Sequence, residues 1–248
     1  MNSQDKKNRN SLLILAFIEG GAVMCVELCS AKILSPFFGT SIYVWAAVLG
    51  ITLTALMSGY YLGGFISAKK QQKNTVYWLM LIGGLLVTLT PIISDIILPI
   101  TINLNLITGS IVSLLSFLFF PLVLFGATSP LIIKKLTSQV NESGKSSGTV
   151  YAVSTLGGII TTFTVGFFTM PEFGIAKTMY GYGILVMAIS TYLFVSTKTF
   201  KTPVSFVLLV GLMSMNFHGR FQHEKTLYNS DGILGQVKVI ERTYLVND

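Results

Sequence analysis

Charge is what this chain lacks. Asp, Glu, Lys and Arg make up 11% of its 248 residues, where a soluble domain usually carries about 25%. A deficit of that size excludes an ordinary water-facing globule. Histidine occurs only as His218 and His223, five apart with no third ligand nearby, so no zinc site is expected. The two cysteines, Cys25 and Cys29, lie one helical turn apart in an apolar run. A disulfide across one turn is geometrically poor, and the pair reads as two small apolar side chains. No phosphate-cradling Gly-x-x-x-x-Gly-Lys-Ser/Thr loop and no strand-linked nucleotide fingerprint occurs. Gly83-Gly84 and Gly157-Gly158 fall inside apolar runs, out of reach of a soluble cofactor. With no Ser/His/Asp or Cys/His constellation either, no assembled soluble active site and no cofactor are expected in this chain.

What is present is hydrophobic sequence, 52% of residues. A spanning helix needs about 20 apolar residues, and seven segments qualify or come near: Ser11–Leu34, Ile42–Ser67, Val76–Leu98, Leu104–Ile133, Thr149–Met170, Ala176–Ser196 and the short Pro203–Phe217. The fourth is too long for one straight span and holds Pro121, Gly126 and Pro130, which predicts a break or tilt. Residues 1–10 are polar and read as a disordered tail, 11–217 as the transmembrane bundle, and 218–248 as a C-terminal tail. The first apolar run is too long for a secretory signal and is interrupted by Glu19 and Glu27.

The net charge of +7 reads as topology rather than as a nucleic-acid surface, so the expected environment is the lipid bilayer and no nucleic acid. Lys6, Lys7 and Arg9 precede the first segment. Lys69, Lys70 and Lys73 follow the second, Lys134, Lys135 and Lys145 the fourth, and Lys198 and Lys201 the sixth. Only Lys32 and Lys177 lie near segment ends on the opposite side. By the positive-inside rule this places the N-terminus in the cytoplasm of an inner-membrane protein and, with seven spans, the C-terminus outside.

Two small-residue stripes stand out. Gly59-x-x-x-Gly63 is a close-packing motif for membrane helices, and Gly148, Ala152, Thr155, Gly158, Thr162 and Gly166 keep one face of the fifth segment small. Gly148, Gly157 and Gly158 are therefore expected packing residues, with a substrate path along the stripe as the sharper alternative. A short repeat relates Gly39-Thr-Ser-Ile-Tyr-Val-Trp-Ala-Ala-Val-Leu-Gly-Ile to Gly148-Thr-Val-Tyr-Ala-Val-Ser-Thr-Leu-Gly-Gly-Ile, with one gap. Three segments apart and opposite in direction, this is the inverted 3+3 arrangement of one half of a major-facilitator transporter. The expected fold is all-α, a polytopic membrane helix bundle of about seven spans, major-facilitator-half-like, with a short C-terminal β segment. In that tail, Leu234 to Glu241 alternates apolar and polar residues as a half-buried strand does, and Arg242-Thr-Tyr-Leu-Val offers a partner strand.

Ionisable residues inside spans mark function by default. Glu19 and Glu27 are eight residues apart in the first segment, about 80° around the axis and ~12 Å along it, and are expected to share one polar path. Such carboxylates bind a cation, relay protons or attract an amine; the structural alternative is a buried contact to Tyr, Ser or backbone groups of a neighbour. Lys32 reads as an interfacial anchor that snorkels. Asp95 reads as an interfacial group, or else a cation-attracting mouth. Tyr43, Trp45 and Trp78 read as an aromatic belt.

Glu27-Leu-Cys-Ser-Ala-Lys-Ile-Leu-Ser-Pro-Phe-Phe-Gly-Thr-Ser-Ile-Tyr-Val-Trp, Gly59-Tyr-Tyr-Leu-Gly-Gly, Phe125-Gly-Ala-Thr-Ser-Pro130 and Gly148-Thr-Val-Tyr-Ala-Val-Ser-Thr-Leu-Gly together resemble the membrane domain of spermidine-synthase-like membrane proteins. In those proteins a major-facilitator-like region precedes a polyamine aminopropyltransferase-like domain. The resemblance carries over Glu27, Pro36, Gly39, Ser41, Trp45, Gly59, Gly63, Pro130, Tyr151 and Gly157, and so implies Ser41, Trp45 and Tyr151 as further candidate substrate-binding positions. No catalytic residue carries over, because the transferase glycines and acids would lie beyond Asp248. The resemblance implies a membrane subunit, non-catalytic alone, that holds a separate aminopropyltransferase-like or other catalytic chain through residues 228–248 and handles an amine or other small substrate. Two alternatives stand beside it. One is a secondary transporter of two such halves, a homodimer; the other is a structural scaffold in a larger complex. An external tail would not meet a cytoplasmic aminopropyl donor, a conflict that a seventh segment lying in the interface would remove.

Overall fold

In the computed structural model the described residues are 3–68, 74–137, 142–195, 225–232 and 235–241. The apolar runs form helices α1 (Ser3–Phe38), α2 (Ile42–Ala68), α3 (Thr75–Thr101), α4 (Leu106–Phe117), α5 (Phe119–Leu136), α6 (Ser143–Thr164), α7 (Met170–Phe173) and α8 (Ile175–Val195). Five helical stretches are long and apolar enough to cross a membrane: Asn8–Phe38, Ile42–Ala68, Thr75–Thr101, Phe119–Leu136 and Ser143–Phe173. The chain is thus an all-α integral-membrane type bundle. The sixth expected segment is helical as α8. The seventh, Pro203–Phe217, lies outside the described residues, as do His218 and His223.

Proline accounts for both interruptions. Pro121 has no N–H to give the Phe117 carbonyl, and its ring crowds that oxygen. The helix is interrupted at Leu118, between α4 and α5, where φ −93° and ψ −41° stay in the right-handed region, and the Thr90 hydroxyl of α3 lies 3.4 Å from the freed Phe117 carbonyl. The expected break in the fourth segment is therefore present, three residues before Pro121. The next interruption had no counterpart in the sequence reading. The expected Thr149–Met170 span begins earlier, at Ser143, and Val165–Thr169 winds as a π-turn in which the Met170 N–H reaches the Val165 carbonyl. Pro171 follows and supplies no donor for Phe167, so the wider turn accommodates the gap. Gly174, at φ 80°, then ends α7 and lets α8 start in a new direction.

Three helix pairs are packed most closely: α1 on α6, α2 on α5 and α3 on α8. Each is a close approach through glycine, which packing without a hydrophobic drive between helices favours. A Cβ at Gly157 would run into the Phe17 carbonyl, and one at Gly20 into the Ser154 carbonyl. A Cβ at Gly63 would strike the Ala127 carbonyl, and one at Gly59 would stand 2.9 Å from the Ala127 nitrogen. Across α3 and α8, a Cβ at Gly84 would lie 3.0 Å from the Gly183 carbonyl, and one at Gly183 2.8 Å from the Gly84 carbonyl. Contacts that ascend together, Gly59 with Gly126, Gly63 with Ala127 and Ser67 with Lys134, make α2 and α5 parallel; α3 and α8 are antiparallel, with Gly84 beside Gly183 and Tyr77 beside Phe194 (ring centroids 5.7 Å apart). In chain order, with α4–α5 taken as one helical unit and α6–α7 as the next, unit 1 pairs with 5, 2 with 4, and 3 with 6. Advancing each number by three turns the first pair into the second and returns the third to itself.

The stripe on α6 corrects one expectation. Gly59, Gly63, Gly157 and Gly158 are buried, but nothing lies within 4 Å of a Cβ at Gly148, so Gly148 is not a packing residue. The tight contact is made one position over, by Gly157 and Ser154. In the tail, β1 (Lys225–Gly232) pairs antiparallel with β2 (Gly235–Glu241), with an irregularity between Thr226 and Tyr228. The alternating run from Leu234 is thus β2, and its partner is the segment before it rather than Arg242–Val246, which lies outside the described residues. The ribbon touches α1 and α7.

Gly157→Val is expected to lower stability by about 1–3 kcal/mol by forcing α6 off α1. Gly148→Val, facing open space, is expected to change it little. Thermal unfolding in detergent checks the contrast, and equal midpoints for the two variants would refute the α1–α6 contact.

Candidate functional site

Most hydroxyls inside these helices serve their own backbone. Thr54 donates to the Gly50 carbonyl (2.7 Å), Ser58 to Thr54 (2.8 Å), Ser110 to Leu106 (2.7 Å) and Thr128 to Leu124 (3.0 Å). A donor with no water to turn to bonds the preceding turn. Ser129 and Ser154 do otherwise. Both hydroxyls donate to Glu19 Oε2, Ser154 at 2.9 Å and Ser129 at 3.3 Å. Glu19 is 2% exposed, so its carboxyl is held between three helices, its own α1, α5 and α6.

The local sequence explains the meeting. Gly20, next to Glu19, brings the α1 backbone onto the Ser154 carbonyl, and Gly157 brings α6 onto the Phe17 carbonyl. Those two close approaches set Ser154 within one hydrogen bond of Glu19. Gly59 and Gly63 do the same for α2 against α5, which carries Ser129.

Glu19 also lines a cavity of about 410 Å³, within the size range of small-molecule pockets. From α1 come Glu19, Gly20, Val23 and Met24, and from α2 come Leu56 and Tyr60. The α6 wall is Ser154, Thr155, Gly158, Ile159, Thr162 and Phe163. The lining is mainly apolar, with one carboxyl and a few hydroxyls. Both described bonds to the Glu19 carboxyl fall on Oε2. Tyr60 is within electrostatic reach of Glu19 and of Tyr151. Thr155, Gly158 and Thr162 of the α6 stripe thus lie along the cavity.

The remaining candidates are scattered. Glu27 is buried (9% exposed) but is not among the cavity-lining residues, so the single polar path expected for both carboxylates is not formed by this cavity. Lys32 is half-buried farther along α1. The Ser41 hydroxyl is buried without a described partner, and its carbonyl accepts the Trp45 N–H at 3.1 Å. Trp45 and Tyr43 are exposed near the start of α2, and Tyr151 is exposed on α6. Asp95 is half-buried on α3, where it acts electrostatically on Tyr180 of α8. Trp78, half-buried, packs edge-on to Phe194 of α8, centroids 5.9 Å apart. Cys25 and Cys29 are both buried and free. Among the described residues no three His, Cys, Asp or Glu side chains converge. The sequence reading missed Ser129, Ser154 and Tyr60. Each sits in a quoted motif, and polar residues within apolar runs were the available signal.

Ser154→Ala is expected to cost about 1–3 kcal/mol by leaving a buried acceptor short of a donor, and Ser129→Ala less, since its bond is long. Unfolding midpoints, together with the Glu19 carboxyl infrared band located by its loss in Glu19→Gln, check the order. A band unmoved by either change would refute the geometry. Comparison with protein-family models, curated proteins and solved structures finds no match to this chain.

Proposed function

We propose that this chain is an integral membrane protein that binds a small molecule inside the bilayer at the Glu19 cavity, as one major-facilitator-like half of a secondary transporter. The observation that carries the reading is Glu19 itself. It is a buried carboxyl that lines a cavity and accepts hydrogen bonds on Oε2 from serines of two other helices. Carboxyls within spans are costly and mark substrate, ion or proton pathways. The pairing of helical units 1 with 5, 2 with 4 and 3 with 6 maps onto itself when each number advances by three, which is compatible with an inverted 3+3 repeat. Two copies would complete such a transporter. On the charge distribution the N-terminus is cytoplasmic and the membrane is the inner one.

The expectation follows that full-length chain in liposomes takes up a small substrate from a panel of amines and inorganic cations, and that Glu19→Gln, still folded, falls to background. No uptake across the panel, or uptake unchanged in Glu19→Gln, would refute it. Normal function of Glu19→Gln/Glu27→Gln would favour the scaffold reading instead.

The ribbon supports a second reading, that of a membrane subunit in a spermidine-synthase-like system holding a transferase-like partner. β1 and β2 pair only with each other among the described residues, so each keeps an outer edge, and a sheet edge is a template for strand addition by another chain. Deletion of 225–248 is expected to release a stoichiometric catalytic partner from gently solubilised membranes, read by mass spectrometry. Retention of every stable partner would refute this reading.

A further inference from the structure

The shape and chemistry of the Glu19 cavity limit what it holds. Its lining offers one carboxyl and no Lys or Arg. A charged carboxylate in that setting needs a counter-charge, and an isolated one is too costly to leave bare. Oε2 accepts from the Ser129 and Ser154 hydroxyls, and the carboxyl has still to take either a proton or one cationic group. The larger side chains of the wall are Val23, Met24, Leu56, Tyr60, Ile159 and Phe163, with the Thr155 and Thr162 hydroxyls among them. Hard metal ions require six or more oxygens around them, and this wall spreads its few oxygens over an apolar surface. An ammonium on an apolar body matches it better: the charge on the Glu19 carboxyl, the body against Met24 and the aliphatic side chains, and the Tyr60 and Phe163 rings available for cation–π contact.

We infer that the ligand of this cavity is a monovalent organic cation, and that it binds at Glu19 in exchange for one proton. The inference rests on the cavity being the binding site, as proposed above. In the empty site Glu19 is neutralised by a proton. As the cation arrives, that proton leaves the carboxyl for water at the cavity mouth, so that one positive charge replaces another and no bond to carbon changes. The titratable groups facing Glu19 are Tyr60 on α2 and Tyr151 beyond it on α6. From α5 the facing group is Ser129. The α5 cations are engaged elsewhere, Lys134 by the Ser67 carbonyl and Lys135 over the Tyr77 ring at 5.6 Å. On α8, Tyr182 is bonded to Thr161 at 2.8 Å. Glu27 lies two turns along α1, away from the lining.

The test is titration calorimetry on the full chain in lipid nanodiscs, with benzyltrimethylammonium, whose charge cannot titrate, against benzyl alcohol and Mg²⁺. Runs in two buffers of different ionisation enthalpy count the protons. The expected result is binding of the cation alone, with proton release. Its affinity should fall about tenfold per pH unit on the acid side of the carboxyl titration, as linkage requires. Glu19→Gln should lose the binding, Thr155→Trp should lose it by filling the cavity with the carboxyl intact, and Glu172→Gln, exposed and off the cavity, should keep it. If Glu19→Gln fails to fold, proton release by the native chain and the Thr155→Trp result still decide. Equal binding of benzyl alcohol, or binding kept in Glu19→Gln but lost in Thr155→Trp, overturns the cation while leaving the cavity reading in place. Cation binding without proton release overturns the exchange. Binding that survives Thr155→Trp overturns the cavity reading and the inference together, and no binding of any probe overturns the inference.

Discussion

The contact on which the rest depends is the approach of the α1 and α6 backbones at Gly20 and Gly157. A side chain at either glycine would meet a carbonyl of the other helix. Because the helices touch backbone to backbone, the short Ser154 side chain reaches the Glu19 carboxyl directly. Separation by the width of one methyl group would break that bond and leave the buried carboxyl with only the longer Ser129 bond. Packing and site are therefore one arrangement, and a change that loosens the helix pair unbuilds the carboxyl's environment.

Burial of Glu19 then dictates its chemistry. In water a carboxylate is neutralised by solvent at no structural cost. Between apolar helices it must be matched by hydrogen bonds and by a proton or a cation. The serines supply the hydrogen bonds on one oxygen and set the rotamer. Their position on two helices other than α1 means that the carboxyl's partners depend on how α5 and α6 are placed against α1. Proline acts at a different scale. Pro121 and Pro171 withhold donors in the middle of apolar runs, and the chain responds with a break at Leu118 and a π-turn at Val165–Thr169. A helix that keeps a tight turn at such a position would leave carbonyls unbonded where no water reaches them.

Helix content and position were legible in the sequence alone. Apolar run length is a one-dimensional property set by bilayer thickness, and six of the seven expected segments are helical where the described residues cover them. The break near Pro121 was legible for the same reason, since a missing N–H acts on the residue four before it wherever the fold places it. The Gly59 and Gly63 contact was legible because two glycines a turn apart lie on one face in any helix. The carboxylates could be ranked no further than as a pair, since eight residues of separation leaves both on a broad common face. Only the bundle decided that Glu19 meets the cavity and Glu27 does not, that Gly148 faces open space while Gly157 is closed in, and that two serines 110 and 135 residues from Glu19 become its partners. Spacing along a helix determines which residues share a side. Which side receives a neighbour, and how closely, is determined by pairings between helices far apart in the chain, and those exist only once the tertiary structure has formed.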